Sequence, residues 1–449
     1  RCSRVDRCRL RRAAAGCRDP DALAEDGPSI WDECADNICF QMEQGDKSKT
    51  DAAFKAAHHV SRVEIPFARV AINPMEPRAA IGEYDQFEDR YTLYSGNQFP
   101  HDLRSWLAQS VLKVPESKLR IISPDMGGSF GLRSNCFPEL SLVMWAAKQL
   151  KRPVKWVNER SEGILEEHAR DFAMTVELAL DNDGTFLGLR VLKRASVGAY
   201  LNNFGPLPAI GNLGGIAGVY KTPAIHAEII GVFTNSAPTS PYRGAGRPEA
   251  TLAIEQVIDL AACEMGIDRI ELRRRNIIPP DAMPYQTPLS YNYDCGEFER
   301  NMDRALTMAE ASSFEQRRAQ SESTGKLRGL GVANAVEQAA GMFDEGGEIR
   351  FNQEGHITVL MGTHAHGQGH ETVFKQLLSE KFNLDFEQIR YVQGDTDMVN
   401  YGHGTGGSRV SGLGSAALIG AADKIIDKGR LSAAHNLETA EVDIEFSDG

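Results

Sequence analysis

Ser240-Pro241-Tyr242-Arg243-Gly244-Ala245-Gly246-Arg247-Pro248-Glu249-Ala250 sets two of its arginines, Arg243 and Arg247, around a run of small residues. The run opens into an apolar-periodic segment, Leu252, Ile254, Val257, Ile258 and Leu260, the pattern of a core-facing helix. Pro248 suits the first turn of that helix and Gly266 its end. A flexible loop feeding a buried helix puts backbone N–H groups and cations where an anion can sit. The plainer reading is a glycine-rich turn ahead of a core helix, and the stretch alone does not separate the two.

Outward from this stretch, strand and helix patterns are interspersed, which predicts an α+β fold. Residues 60–67, 91–94 and 119–122 read as strands. Asp102 is placed to N-cap a helix facing inward with Leu103, Trp106, Leu107 and Val111. A further helix carries Leu140, Val143, Met144, Ala147 and Leu150. Alternating segments 174–180 and 186–191 flank Asp183-Gly184, a hairpin signal. The same design returns at 348–352 and 356–360 around Glu354-Gly355. Two related α+β halves are therefore expected, joined by the polar stretch 311–326. The division predicted is a poorly interpretable start over 1–50, a first domain over 51–310, that linker, and a second domain over 327–449. Residues 1–20 hold seven arginines and three cysteines with almost no apolar pattern, so they read as a basic arm or a misjoined start. The chain begins without Met and stops at Gly449 in mid-pattern. It is read as a fragment with an incomplete second domain.

Composition bounds the function. The chain has 449 residues and a net charge of −13, which disfavours broad nucleic-acid binding because no basic surplus meets phosphates. No apolar run approaches membrane-spanning length. Eight cysteines without a C-x-x-C pair fit neither a disulfide framework nor a zinc site, and suit a cytoplasmic protein.

Four glycine-rich loops, at 127–131, 243–247, 366–370 and 404–409, sit at strand ends or helix starts. Together they suggest backbone approaching a large polyanionic ligand from several sides, although an α+β protein also uses many tight glycine turns. None has a P-loop ending. His364, His366 and His370 invite a zinc reading, and Asp395 with Asp397 an acid/base pair. A zinc- or carboxylate-dependent hydrolase is thus the alternative function. Against it, no acidic ligand is tied to the histidines by spacing, and the aspartates also suit turn capping.

The motifs Asn73-Pro74-Met75-Glu76-Pro77-Arg78-Ala79, Gln98-Phe99-Pro100-His101, Gly127-Gly128-Ser129-Phe130-Gly131, Pro241-Tyr242-Arg243-Gly244-Ala245-Gly246-Arg247, His366-Gly367-Gln368-Gly369-His370 and Gly394-Asp395-Thr396-Asp397 occur in this order. In this the chain resembles the molybdopterin-binding large subunit of the xanthine dehydrogenase family, the molybdenum hydroxylases. Its nearest branch looks like the carbon monoxide dehydrogenase large-chain-like proteins. The resemblance covers residues from about 50 to 449 and implies two related molybdopterin-binding domains holding molybdopterin cytosine dinucleotide with its molybdenum. It assigns Gln98, Arg243 and Gly244 to the catalytic site. It assigns Gly128, Phe130, Gly131, Arg243, Gly367, Gln368, Gly369, Thr405, Gly407 and Ser408 to cofactor binding, and no protein side chain to the metal. It further implies hydroxylation of an aldehyde or N-heterocycle with water as oxygen source. Electrons would leave through a [2Fe–2S] small subunit and a FAD-binding medium subunit, in a dimer of heterotrimers.

Departures narrow the substrate. Gly244 stands where the resemblance places the copper-binding Cys of carbon monoxide oxidisers. Ser134 stands where purine oxidisers carry an acidic residue, and residues 198–242 contain no arginine. The family's general-base glutamate belongs to a G-x-G-E motif expected beyond residue 449. A non-catalytic, truncated product is the third reading.

Overall fold

The computed structural model describes residue 23 and residues 27–339 and 344–447. The stretch 1–20, read above as an arm or misjoined start, lies outside them. The first half opens with β1 (Ile38–Gly45), α1 (Lys47–Ala56) and β2 (His59–Ala71). Then follow β3 (Ala79–Asp85), β4 (Arg90–Ser95), α2 (Pro100–Ser105), β5 (Leu119–Ile122), α3 (Pro138–Leu150) and β6 (Val154–Val157). Long strands β7 (His168–Leu180), β8 (Phe186–Gly198) and β9 (Ile225–Phe233) precede α4 (Arg247–Met265) and α5 (Arg269–Asn276). After α6 (Phe298–Met308) and α7 (Phe314–Ser323) come β10 (Gly347–Phe351), β11 (Ile357–Met361), α8 (His370–Phe382), β12 (Ile389–Val392) and α9 (Ser415–Leu437).

Three main sheets result, in the orders β1-β9-β8-β7-β2, β5-β4-β3-β6 and β10-β11-β12. Each buries an apolar face under helices, as mixed α+β layers must. The predicted hairpin turn at Asp183-Gly184 forms: Gly184 has φ +89°, and the Asp181 carboxylate accepts the Thr185 N–H at 2.8 Å. Helix α4 is placed as its apolar period requires. Ala253, Ile254, Val257 and Ile258 are fully buried, Pro248 lies in its first turn, and Gly266 ends it in the left-handed conformation.

Two expectations need correction. Phe99, not Asp102, is the N-cap of α2; Pro100 opens the helix and moves Asp102 into the first turn. Leu150 and Val111 are 55% and 48% exposed, because each lies at the C-terminal end of its helical segment. Within the stretch 311–326, α7 occupies Phe314–Ser323.

The two halves meet along the end of β5. Ser123 N–H donates to Gly394 O at 2.7 Å and Thr396 N–H to Ile121 O at 3.1 Å. The Thr396 hydroxyl accepts from Ile121 N–H at 3.0 Å. Arg120 forks onto the Asp395 carboxylate at 3.0 and 2.6 Å, and Arg90 reaches Asp397 at 2.6 Å. Burial pushes the Asp395 carboxyl up, but the Arg120 fork and the backbone N–H groups of Asp397 and Met398 outweigh it and hold it below its ordinary value. Forked arginine–carboxylate pairs of this kind fix orientation as well as attraction. In a double-mutant cycle of Arg120→Ala and Asp395→Ala read by urea denaturation, a coupling of about 1–2 kcal/mol is expected; strict additivity would show that the pair does not hold the halves together.

Candidate functional site

Gln98 follows β4, where Asn97 N–H donates to Ser123 Oγ at 2.9 Å and the Asn97 carboxamide accepts Phe99 N–H at 2.8 Å. Its own side chain is 4% exposed. The amide oxygen accepts the Ser129 hydroxyl and, at 2.8 Å, the Gly131 N–H. The amide nitrogen donates to Thr405 O at 2.8 Å, and Thr405 N–H returns to Gln98 O at 3.0 Å. One glutamine therefore ties the 127–131 loop of the first half to the 404–408 loop of the second. An amide nitrogen carries two donors, and that of Gln98 meets one acceptor, Thr405 O, among the described residues.

The loops require glycine where they touch. A Cβ on Gly404, at φ +60°, would lie 1.9 Å from Gln98 O, and one on Gly131, at φ +109°, would lie 2.2 Å from Pro241 O. Arg243 N–H donates to Phe130 O at 2.9 Å, joining the 241–247 loop to the same knot. Phe130 is itself left-handed, at φ +59°, and its ring is 43% exposed. Arg243 is exposed and Gly244 half-buried. The structure thus brings Gln98, Gly131, Phe130, Arg243 and Thr405 into one bonded unit.

The 366–370 loop joins it through its preceding residues: His364 N–H donates to Thr405 Oγ1 at 3.1 Å. Gln368 is exposed and folds back on its own loop, its oxygen accepting His366 N–H at 2.7 Å. Gly367 and Gly369 have φ +120° and +76°, with open space where a Cβ would stand. Ser408, at φ +59°, gives its hydroxyl to Glu337 at 2.7 Å, and Glu337 pairs with Arg247 at 2.9 Å. Gly407, beside it, is exposed.

The hydrolase alternative fails here. No group of three or more His, Cys, Asp or Glu that could hold a metal occurs among the described residues. Asp395 and Asp397 are spent on Arg120 and Arg90. Burial, with neighbouring imidazoles, holds His366 down to about 4, and burial holds His370 down to about 4. Both are neutral at pH 7. Instead, the Nδ1 atoms of His364 and His370 are buried without hydrogen-bond partners among the described residues. Helices α4 and α8 begin at Gly246 and Gly369 with no side-chain cap. Orphan donors and acceptors of this kind call for a polar ligand, and phosphate is the group that helix N-termini accept. The donor set fits a pterin bearing a pyrophosphate.

Sequence reasoning missed Ser129 as the partner of Gln98, although it lies in a quoted motif. It also quoted Glu76 without a role. Glu76 accepts Gly127 N–H at 2.5 Å and Arg133 Nη1 at 3.0 Å, which props the 127–131 loop from behind. The Glu337 link carries no local signal at all.

Comparison with known proteins agrees with this geometry. Two distinct molybdopterin cofactor-binding domain families match, one over residues 30–277 and the other over residues 306–449. The gamma subunit of the 6-hydroxypseudooxynicotine dehydrogenase complex of Paenarthrobacter nicotinovorans is 34% identical over 89% of this chain and 51% of its own length. The carbon monoxide dehydrogenase large chain of Hydrogenophaga pseudoflava is 34% identical over 95% of this chain and 57% of its own. Quinoline 2-oxidoreductase from Pseudomonas putida 86 superposes with a TM-score of 0.90 at 29% identity, over 97% of this chain and 57% of that one. The chain spans about half the length of the curated relatives it matches. With both halves matched in order and the loops knotted at Gln98, the chain belongs to the molybdopterin-binding large subunits of the xanthine dehydrogenase family.

Proposed function

We propose that this chain is the cofactor-holding part of a molybdenum-dependent hydroxylase large subunit, and that its full-length protein oxidises an N-heterocycle or an aldehyde. The observation that carries the reading is the Gln98 amide bonded at once to the 127–131 and 404–408 loops. When bound, the molybdenum–pterin group supplies a two-electron acceptor for hydroxylation with water as oxygen source.

The chain's own residues bind and orient. Gln98 offers its remaining amide N–H beside the reacting centre. Phe130 flanks that centre with an exposed ring, and Arg243 with Gly244 borders the substrate. Gly128 and Gly131 let backbone approach closely. Gly367, Gln368 and Gly369 hold the pterin and its pyrophosphate, and Thr405, Gly407 and Ser408 hold its polar edge from the second half. The cytosine dinucleotide form, the iron–sulfur and flavin subunits, the dimer of heterotrimers and a cytoplasmic setting belong to the same proposal. No helix among the described residues is long and apolar enough to cross a membrane. Relatives named for nicotine and quinoline oxidation favour an N-heterocycle over an aldehyde. Gly244 in place of a copper-binding Cys argues against carbon monoxide.

Metal and nucleotide analysis of the purified full-length complex is expected to give molybdenum, with a cytidine nucleotide released by acid; zinc alone would contradict the proposal. Gln98→Leu leaves Ser129, the Gly131 N–H and Thr405 O without their partner, at about 1–3 kcal/mol for each buried group. The variant should retain its secondary structure by circular dichroism and lose most of its molybdenum; full retention of the metal would contradict the role given to Gln98. In a dye-reduction screen, turnover is expected with N-heterocycles or aldehydes and none with carbon monoxide. Carbon monoxide turnover would overturn the substrate assignment.

A further inference from the structure

Strand β7 contains an irregularity that the cofactor reading does not use. Arg170 and Asp171 are consecutive non-glycine residues in the left-handed region, at φ +64° and +76°. Such conformations cost free energy and persist where surrounding contacts hold them. Here the contacts run in opposite directions and end on the same connection. Asp171 accepts from Arg69 Nε at 2.8 Å. Arg69 also donates to Ala237 O at 2.6 Å and to Ser236 Oγ at 2.7 Å, anchoring the segment that leads into the 241–247 loop. Arg170 turns the other way. One arm of its guanidinium pairs with Glu249, which is 2% exposed in the first turn of α4. The other donates to Arg243 O at 3.2 Å, and the group lies 5.2 Å from the Tyr242 ring centroid. Backbone bonding continues the cradle, with Ser240 N–H donating to His168 O at 2.8 Å.

We infer that Arg170 is a positioning residue: with Asp171 and Arg69 it sets the height and angle of Tyr242-Arg243-Gly244 against Phe130, and so the face this loop offers to substrate. The inference rests on the proposed function for the identity of the substrate loop. A guanidinium suits the task because its planar fork meets a carboxylate and a carbonyl together while its face lies near an aromatic ring. A lysine ammonium can keep the Glu249 pair and cannot hold the other two contacts in the same geometry. Loops of this kind tolerate little displacement, since misplacing a substrate-positioning group by about 1 Å can lower turnover roughly 100-fold.

The test uses the full-length complex carrying Arg170→Met or Arg170→Lys. Hydrogen exchange is read for the amides of residues 240–249 and, as internal reference, for β11. For Arg170→Met, exchange across 240–249 should rise at least about tenfold with β11 unchanged. In the same variant kcat should fall roughly 10- to 100-fold while KM changes little and molybdenum content holds. Arg170→Lys should recover protection in part. Exchange that stays at the wild-type level, or that rises equally throughout β7–β9, would overturn the inference. If Arg170→Met does not fold, Glu249→Gln is read by the same local exchange, with the same two contradicting results. A wild-type complex without molybdenum would sink the proposed function, and the exchange measurement would still decide whether Arg170 holds the loop.

Discussion

The side-chain amide of Gln98 is the contact on which the arrangement of this chain depends. It lies between loops that are far apart in sequence: Gly131 is 33 residues away and Thr405 is 307. Burial makes its hydrogen bonds consequential, because a buried polar group left unpaired costs more than a satisfied one gains. An amide offers an acceptor to one loop and a donor to the other, which neither a carboxylate nor an ammonium does. The two halves therefore meet in one register, and the glycines at 131 and 404 are the residues that let their backbones come close enough.

A second set of contacts reinforces that register away from the site. Arg120 and Arg90 on the four-stranded sheet grip Asp395 and Asp397 of the second half. The main chain beyond β5 bonds to Gly394, a glycine at φ +75° whose Cβ would collide with Ser123 O. The Gly394-Asp395-Thr396-Asp397 motif is thus a joint between domains, and its carboxylates are taken up by Arg120 and Arg90. Behind the first-half loop, Glu76 and Arg133 form a prop whose guanidinium is 3% exposed. Arg133 O in turn accepts Gln98 N–H at 2.9 Å, so the prop and the knot share one segment of backbone.

Much of this was legible in the sequence for a physical reason. Alternation and 3.6-residue periodicity are local, so β7, β8 and α4 lie where residues 174–191 and 247–265 place them. The glycine loops were visible because positive φ selects glycine, and their meaning came from their joint order. Pairings between distant residues were not visible. Asp395 and Asp397 suggested turn capping or an acid pair, and not ion pairing, because nothing near them announces arginines some 275 and 307 residues away. Arg170 looks like an ordinary strand residue until its backbone angles and its two partners are seen together. Asp102 was misread because the Pro100 that follows Phe99 starts the helix three positions earlier.

The central claim is that loops from both halves grip one molybdenum-bearing pterin around Gln98. Anomalous diffraction at the molybdenum edge from crystals of the full-length complex tests it most directly. The account predicts a molybdenum peak beside Gln98, Phe130 and Arg243, with the attached pterin in contact with residues of both the 127–131 and the 404–408 loops. A metal peak at His364, His366 or Asp395, or a pterin resting on one half alone, would contradict it.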